Sequence, residues 1–186
     1  LSAPLKERKK LLTSAVAWWT RARVTDKALA TFDFINIMAY DATGPWNLGN
    51  PGQHSPYSYA TQHLNYWHND RGVAKNKLVL GVPFYGYGFG AVFDNNTVPR
   101  TMTWNTVQQN YPGSVNADQI TFTSGGTFYH NGKNTIKSKT QLAVQDAGGI
   151  MIWHLLYDSP NEHSLLDLIH KTHHESKQRS YGLWQF

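Results

Sequence analysis

FDFINIMAYDATGPW, residues 32 to 46, governs how the rest of the chain is read. Phe34 to Tyr40 is an apolar run of strand length and composition. It does not fade into a polar turn. It ends in Tyr40 and Asp41, then in a Gly44-Pro45-Trp46 corner. Strand side chains alternate, so Asn36, Met38 and Tyr40 share one face while Ile35, Ile37 and Ala39 share the other. The purely aliphatic face is expected against helices. The face carrying Asn, Met and Tyr is expected to look into a site.

Two further strands repeat this arrangement. In LVLGVPF (78–84), Gly81 and Pro83 share a face with the following Tyr85, opposite Leu80 and Val82. In IMIWHL (150–155), Met151 and Trp153 lie opposite Ile150 and Ile152. Three strands thus deliver Tyr40, Tyr85 and Trp153 at their C-terminal ends, where barrel enzymes build their active sites. A fourth strand is read in LLTSAVAW (11–18). Helices are predicted over 25–30, with Thr25 as N-cap, and over 57–70, 135–146 and 164–177. The Gly148-Gly149 pair stops the third of these.

Apolar strands alternating with helices imply an α/β protein with a parallel sheet covered by helices. A closed (β/α)8 TIM barrel needs about 250 residues. The 186 residues here supply four units, so the expectation is half a barrel, and its second half, because only a short tail follows the last helix. Residues 86–133 break into short polar and aromatic pieces with turn signals. A bare loop of that length is improbable, so they are read as a small inserted lobe within a single unit spanning 1–186.

Bulk composition narrows the function classes. An apolar fraction of 40% with mixed charge excludes wholesale disorder. No apolar run approaches the ~20 residues of a membrane span, so no membrane partner is expected. With no Cys, disulfides and thiolate metal sites are excluded. The net charge of +5 comes largely from Lys6–Lys10 and Lys171–Arg179, read as solvated helix or tail surface, not a nucleic-acid interface. The chain opens on Leu1 with no visible signal peptide and is taken as a processed or truncated piece of something longer. Gly86-Tyr-Gly-Phe-Gly90 follows a strand, but no helix opens after it, so it is not a phosphate loop. His170, His173 and His174 recur at helical spacing and are read as a polar helix face. No metal and no cofactor is expected.

The strand endings MAYDATGPW, GVPFYGYGF and GGIMIWHL resemble the sixth, seventh and eighth strands of glycoside hydrolase family 18, the chitinase family. LLTSAVAW would then be the fifth. The resemblance implies substrate-assisted retaining hydrolysis, in which the substrate's own N-acetyl oxygen attacks the anomeric carbon. It implies that Tyr40 contacts that N-acetyl group and that Asp41 is its hydrogen-bonding companion. Met38 would line the subsite, Trp153 would be its floor, Tyr85 a cleft residue and Trp46 a platform for the leaving-side sugar. The implied partner is chitin or an N-acetylglucosamine oligosaccharide, and the implied location secreted or periplasmic.

One part of the family's machinery is missing. Its general acid is a Glu closing an Asp-x-x-Asp-x-Asp-x-Glu motif on the fourth strand, and no such motif occurs here. The three Glu, Glu7, Glu162 and Glu175, close no predicted strand. Asp33 and Asp41 bracket one strand, roughly 26 Å apart at ~3.3 Å per residue, and cannot act as a pair. Asp158, just past the last strand, is read as a loop or cap residue. The general acid is therefore expected upstream, in the missing N-terminal half, leaving this chain alone inactive. Two small departures stand beside this: His154 follows the floor Trp where relatives commonly carry an acid, and Tyr87 stands where some carry Arg. The alternatives are a chitinase-like lectin that kept the cleft without the acid, and an endo-β-N-acetylglucosaminidase.

Overall fold

The computed structural model describes residues 2–94 and 98–182, with side chains to residue 178. Arg179, the last residue of the C-terminal basic run, and the tail from 183 lie outside that description. Helix α1 (Ser2–Glu7) leads to strand β1 (Thr13–Ala17). A 3-10 turn at Trp18–Arg23 and the one-turn helix α2 (Asp26–Leu29) connect it to β2 (Phe34–Met38). Thr25 caps α2, its Oγ1 accepting the Ala28 N–H at 3.2 Å. Helix α3 (Tyr57–Asn65) precedes β3 (Leu78–Pro83). Then come β4 (Tyr85–Phe89), β5 (Thr101–Thr103), α4 (Trp104–Asn110), β6 (Gln119–Phe122) and β7 (Gly126–Tyr129). Helix α5 (Lys133–Asp146), β8 (Gly149–Trp153) and α6 (Leu165–Gly182) complete the chain.

β1, β2, β3 and β8 form one parallel sheet in that order, and β5, β4, β7 and β6 form a second, antiparallel one. The register of the parallel sheet explains its two faces. Val16 stands beside Ile37, Ile37 beside Leu80 and Leu80 beside Ile150. This aliphatic row packs on Ala60, Leu64 and Trp67 from the α3 segment and Leu142 and Ala143 from α5. Each such side chain, fully buried, contributes about 1.5–3 kcal/mol. One residue along, Ala17 stands beside Met38 and Gly81 beside Met151. That face carries a separate cluster of Tyr40, Tyr85, Tyr87 and Phe89, joined by Met38, Met151 and Tyr157. A side chain at Gly81 would strike the Ile37 carbonyl, with Met151 Cε and Tyr40 Cε1 each at 3.0 Å, so only glycine fits beneath the tyrosines.

The structure corrects several boundaries. β2 stops at Met38, because the Ala39 N–H turns back to the Ile37 carbonyl at 2.9 Å. Tyr85 does not extend β3 but opens β4 of the second sheet. The predicted 57–70 helix is α-helical only to Asn65; Tyr66–Asp70 forms a π-helical turn, closed by the Arg71 N–H on the Tyr66 carbonyl at 3.0 Å. Arg71 fixes that turn through its guanidinium, which bonds Asp26, the Val24 carbonyl and the Tyr66 hydroxyl. Helix α5 starts two residues earlier than expected, at Lys133, and α6 runs past Lys177 to Gly182.

Candidate active site

At the C-terminal end of β2 the chain does something costly. Asp41 adopts a left-handed backbone, with φ of 63°, a region that Asp and Asn enter more readily than other non-Gly residues but still at a cost of roughly 1–2 kcal/mol. This turn swings the carboxylate beneath two hydroxyls. Tyr85 donates to Asp41 Oδ1 at 2.6 Å and Tyr87 to the same oxygen at 3.0 Å. Tyr40 stands edge-on to Tyr85, ring centroids 6.2 Å apart, and its hydroxyl reaches the Met151 thioether at 3.8 Å. The geometry thus brings together Met38, Tyr40, Asp41 and Tyr85 of the residues singled out in the sequence.

The electrostatics follow from this enclosure. Burial alone would push the Asp41 carboxyl up; the Tyr85 and Tyr87 hydroxyls that donate to it act the other way, and it stays below the ordinary aspartate value. Burial, reinforced by the Asp41 charge, raises the Tyr40, Tyr85 and Tyr87 hydroxyls above the ordinary tyrosine value. The site at neutral pH is therefore one carboxylate that accepts from two protonated phenols, Tyr85 and Tyr87, with the protonated Tyr40 beside them and its hydroxyl turned to Met151.

Trp46 answers the question of the Gly-Pro-Trp corner. A side chain at Gly44 would collide with the Trp46 indole, so the glycine lets the ring fold back over the loop. The indole packs edge-on against Tyr87 at 5.4 Å and stays 62% exposed. With Trp19, 60% exposed, and Asp41 it lines a pocket of about 320 Å³. Two exposed flat rings over a carboxylate suit a pyranose, which has apolar faces and a polar rim. Trp153 departs from this arrangement. It is 53% exposed at the end of β8, beside His154, and makes no ring contact with the tyrosine cluster among the described residues.

Three residues of this neighbourhood were missed in the sequence, and Tyr87 was noted there only as a departure from relatives. Tyr87 lies two positions after Tyr85 on one strand, so alternation alone could have added it. Trp19 directly follows the first strand, a position that carries the same signal as Tyr40. Tyr157 packs against Tyr85 and His154, and His54 is fully buried behind Asp41. Neither has a spacing signal, because loops bring them in.

The remaining carboxylates are occupied or remote. Asp158 caps α6: it accepts the Leu165 and Leu166 N–H groups at 2.8 and 3.0 Å, and the Ser164 hydroxyl at 2.8 Å. Asp33 accepts the Leu12 N–H at the far end of the sheet at 2.7 Å. Glu7, Glu162 and Glu175 are all exposed. On α6, His170 and His174 approach to 3.1 Å between Nε2 atoms, but no group of three or more metal-binding side chains occurs among the described residues. A larger, mostly apolar groove of about 410 Å³ lies between α5, α6 and β8, on the helix-covered side of the sheet.

The parallel sheet thus carries a strand-end carboxylate among tyrosines, with two exposed tryptophans lining the same pocket. The profile described as Glycosyl hydrolases family 18 matches residues 1–158, and the chain belongs to that family. It is 31% identical over 154 residues to Chitinase C of Streptomyces lividans, covering 69% of this chain and 25% of that protein. Among solved structures, the GH18 chitinase ChiB from the chitin utilization locus of Flavobacterium johnsoniae superposes with a TM-score of 0.82 at 41% identity. That match covers 94% of this chain and 53% of that one. A chitinase from Bacteroides thetaiotaomicron gives 0.77 at 27% identity, covering 89% and 53%. The chain thus spans about half the length of these solved relatives and a quarter of the Streptomyces enzyme.

Proposed function

We propose that the chain is the C-terminal half of a TIM-barrel chitinase that hydrolyses β-1,4-linked N-acetylglucosamine by the substrate-assisted, retaining route. The observation that carries this reading is the Asp41 carboxylate held by Tyr85 and Tyr87, beside Tyr40 and below Trp19 and Trp46, in a member of family 18. The half-barrel reading is supported by the consecutive parallel order β1-β2-β3-β8, by outer strands that pair on one side only among the described residues, and by the coverage of about half of each solved relative. Residues 1–186 form this half-domain, with 86–133 as an insert after its third strand. A polymeric substrate of this kind supports a secreted or periplasmic location for the parent protein.

In this reading the Tyr40 hydroxyl, kept protonated, donates to the substrate's N-acetyl oxygen and orients it toward the anomeric carbon. Asp41 meets the same sugar, with its charge fixed by the two phenols. Preorganised donors and a fixed charge aimed at the reacting atoms supply orientation and charge stabilisation. Met38 lines that subsite and Trp46 carries the leaving-side sugar. Trp153 forms the floor once the rim around it is covered by the upstream half. Protonation of the leaving oxygen needs a carboxylic acid from that upstream half, and the chain alone is inactive. The assay is turnover of a fluorogenic chitobioside by the purified chain, with binding of the trisaccharide followed by NMR. Binding without turnover, with shifts at Tyr40 and Trp46, is the expected result. Turnover that disappears on replacing Asp158 would overturn the assignment of the acid; absence of any binding would overturn the sugar site.

A further inference from the structure

Behind Asp41 lie three consecutive loop residues, Gln53, His54 and Ser55, of which His54 touches it. Two of them point away from the site and anchor the loop. Gln53 Nε2 donates to the Asp118 and His130 carbonyls at 3.1 and 2.5 Å. The Ser55 hydroxyl donates to the Ala39 carbonyl at 2.7 Å, and Lys139 Nζ donates to the Ser55 carbonyl and hydroxyl, each at 2.7 Å. Lys139 also donates to Asn131 Oδ1 at 2.7 Å, and Asn131 donates to the Ser55 carbonyl at 2.9 Å. The loop is thereby tied to β2, to α5 and to the segment that follows β7.

His54 points the other way. Its carbonyl accepts the Ala42 N–H at 2.9 Å, and its Nδ1 faces the Asp41 N–H at 3.4 Å and Oδ1 at 3.5 Å. Its Nε2 stands 3.3 Å from the Tyr85 carbonyl. One neutral tautomer, with the proton on Nε2, satisfies both backbone contacts. The ring lies 5.1 and 4.9 Å from the Tyr85 and Tyr87 rings. The side chain thus touches all three members of the Asp41–Tyr85–Tyr87 group, yet it has no exposed surface and cannot meet a sugar. A left-handed Asp persists only where its surroundings hold it, and His54 bonds the two consecutive N–H groups at that turn.

We propose that His54 is a positioning residue for Asp41. Anchored by Gln53 and Ser55, it holds the strained turn and so fixes the carboxylate under the two phenols. The proposal rests on the reading that Asp41 meets the substrate, and its test separates the two.

Three variants of the 186-residue chain decide it. His54→Asn keeps an acceptor near the position of Nδ1, His54→Gln moves it outward, and His54→Leu fills the space with none. Hydrogen exchange of the Asp41 amide is measured without ligand, and affinity for N,N′,N″-triacetylchitotriose by NMR. His54→Leu should speed exchange and weaken binding by about tenfold or more, the effect of losing one buried hydrogen bond, while His54→Asn stays within about threefold. A leucine variant equal to or better than asparagine in amide exchange would reduce His54 to a space-filler and overturn the proposal. If the leucine variant does not fold, the Asn and Gln variants decide. Asn retaining slow exchange where Gln loses it supports the proposal; equality or the reverse overturns it. If the unaltered chain binds no trisaccharide, the substrate reading fails, while the amide exchange still settles His54.

Discussion

The exits of β2 and β8 are built in opposite ways, although each carries an aromatic, Tyr40 just past β2 and Trp153 at the end of β8. After β2 the chain is locked: Tyr40, Thr43, His54 and Ser55 are buried, and Lys139 closes the arrangement from behind. After β8 it is open: Trp153, Leu155 and Leu156 are all exposed, Leu156 at 89%. The locked exit makes its own geometry. The open exit presents apolar surface that nothing among the described residues covers. On the half-barrel proposal, the contrast would divide the site into a half preorganised within this chain and a half whose walls come from elsewhere.

The contrast can be broken most forcefully with acid. The locked side, unlike the open one, rests on buried titratable groups. Burial pulls His130 and His63 down to about 4, and neither ring nitrogen of His63 has a hydrogen-bond partner among the described residues. A histidine depressed in the folded state takes up its proton first in the unfolded chain, so stability present above pH 6.5 is lost as pH falls toward 4. The loss reaches roughly 3 kcal/mol for each residue. Denaturant melts between pH 7 and 4 should show this slope, and His63→Phe should flatten it. A stability that does not change over this range would mean that these rings are hydrated.

Next in size is Gly81→Val. The added side chain meets the Ile37 carbonyl, Met151 and Tyr40 at once, and should cost on the order of 3 kcal/mol in a urea melt. A shift below 1 kcal/mol would show that the floor beneath the tyrosines can move.

Lys139→Met comes third. Three acceptors lose the ammonium group, although the Ser55 carbonyl keeps its bond from Asn131, so about 2 kcal/mol is expected. The pH dependence is the sharper readout. Burial pushes Lys139 down to about 7, against an ordinary value of 10.5. The unfolded chain binds the extra proton between these values, so stability of the parent chain rises with pH from 7 toward 9. The methionine variant should lack that rise.

What could be read in the sequence follows the same division. The facing of Met38, Tyr40 and Tyr85, and of the aliphatic Ile37, Leu80 and Ile150 opposite, was legible because strand alternation states it directly. Tyr87 obeys the same alternation, but was noticed only as a departure from relatives. His54 was illegible: its contact to Asp41 crosses 13 residues of loop, and no periodicity describes a loop. Lys139 contradicts its own pattern, since a lysine on a helix is expected in water. Its three partners come from Ser55 and Asn131, which only the folded chain brings together. Trp153 was assigned to the correct strand end, but strand periodicity gives a direction and says nothing of what covers it.

The smallest effect tests the open exit itself. Leu156→Ser removes an apolar side chain that touches mostly solvent, and should change stability by less than about 0.5 kcal/mol, which is roughly 1–2 °C in a chain of this size. Leu156 and its neighbours Leu155 and Trp153 form the apolar rim that an upstream half would cover. A melt lowered by 5 °C or more would mean that this rim is already packed in solution. Such a drop that vanishes on tenfold dilution would identify the cover as a second copy of the chain. Either result would remove the difference between the two exits, and with it the argument that the β8 side waits for walls supplied by another half.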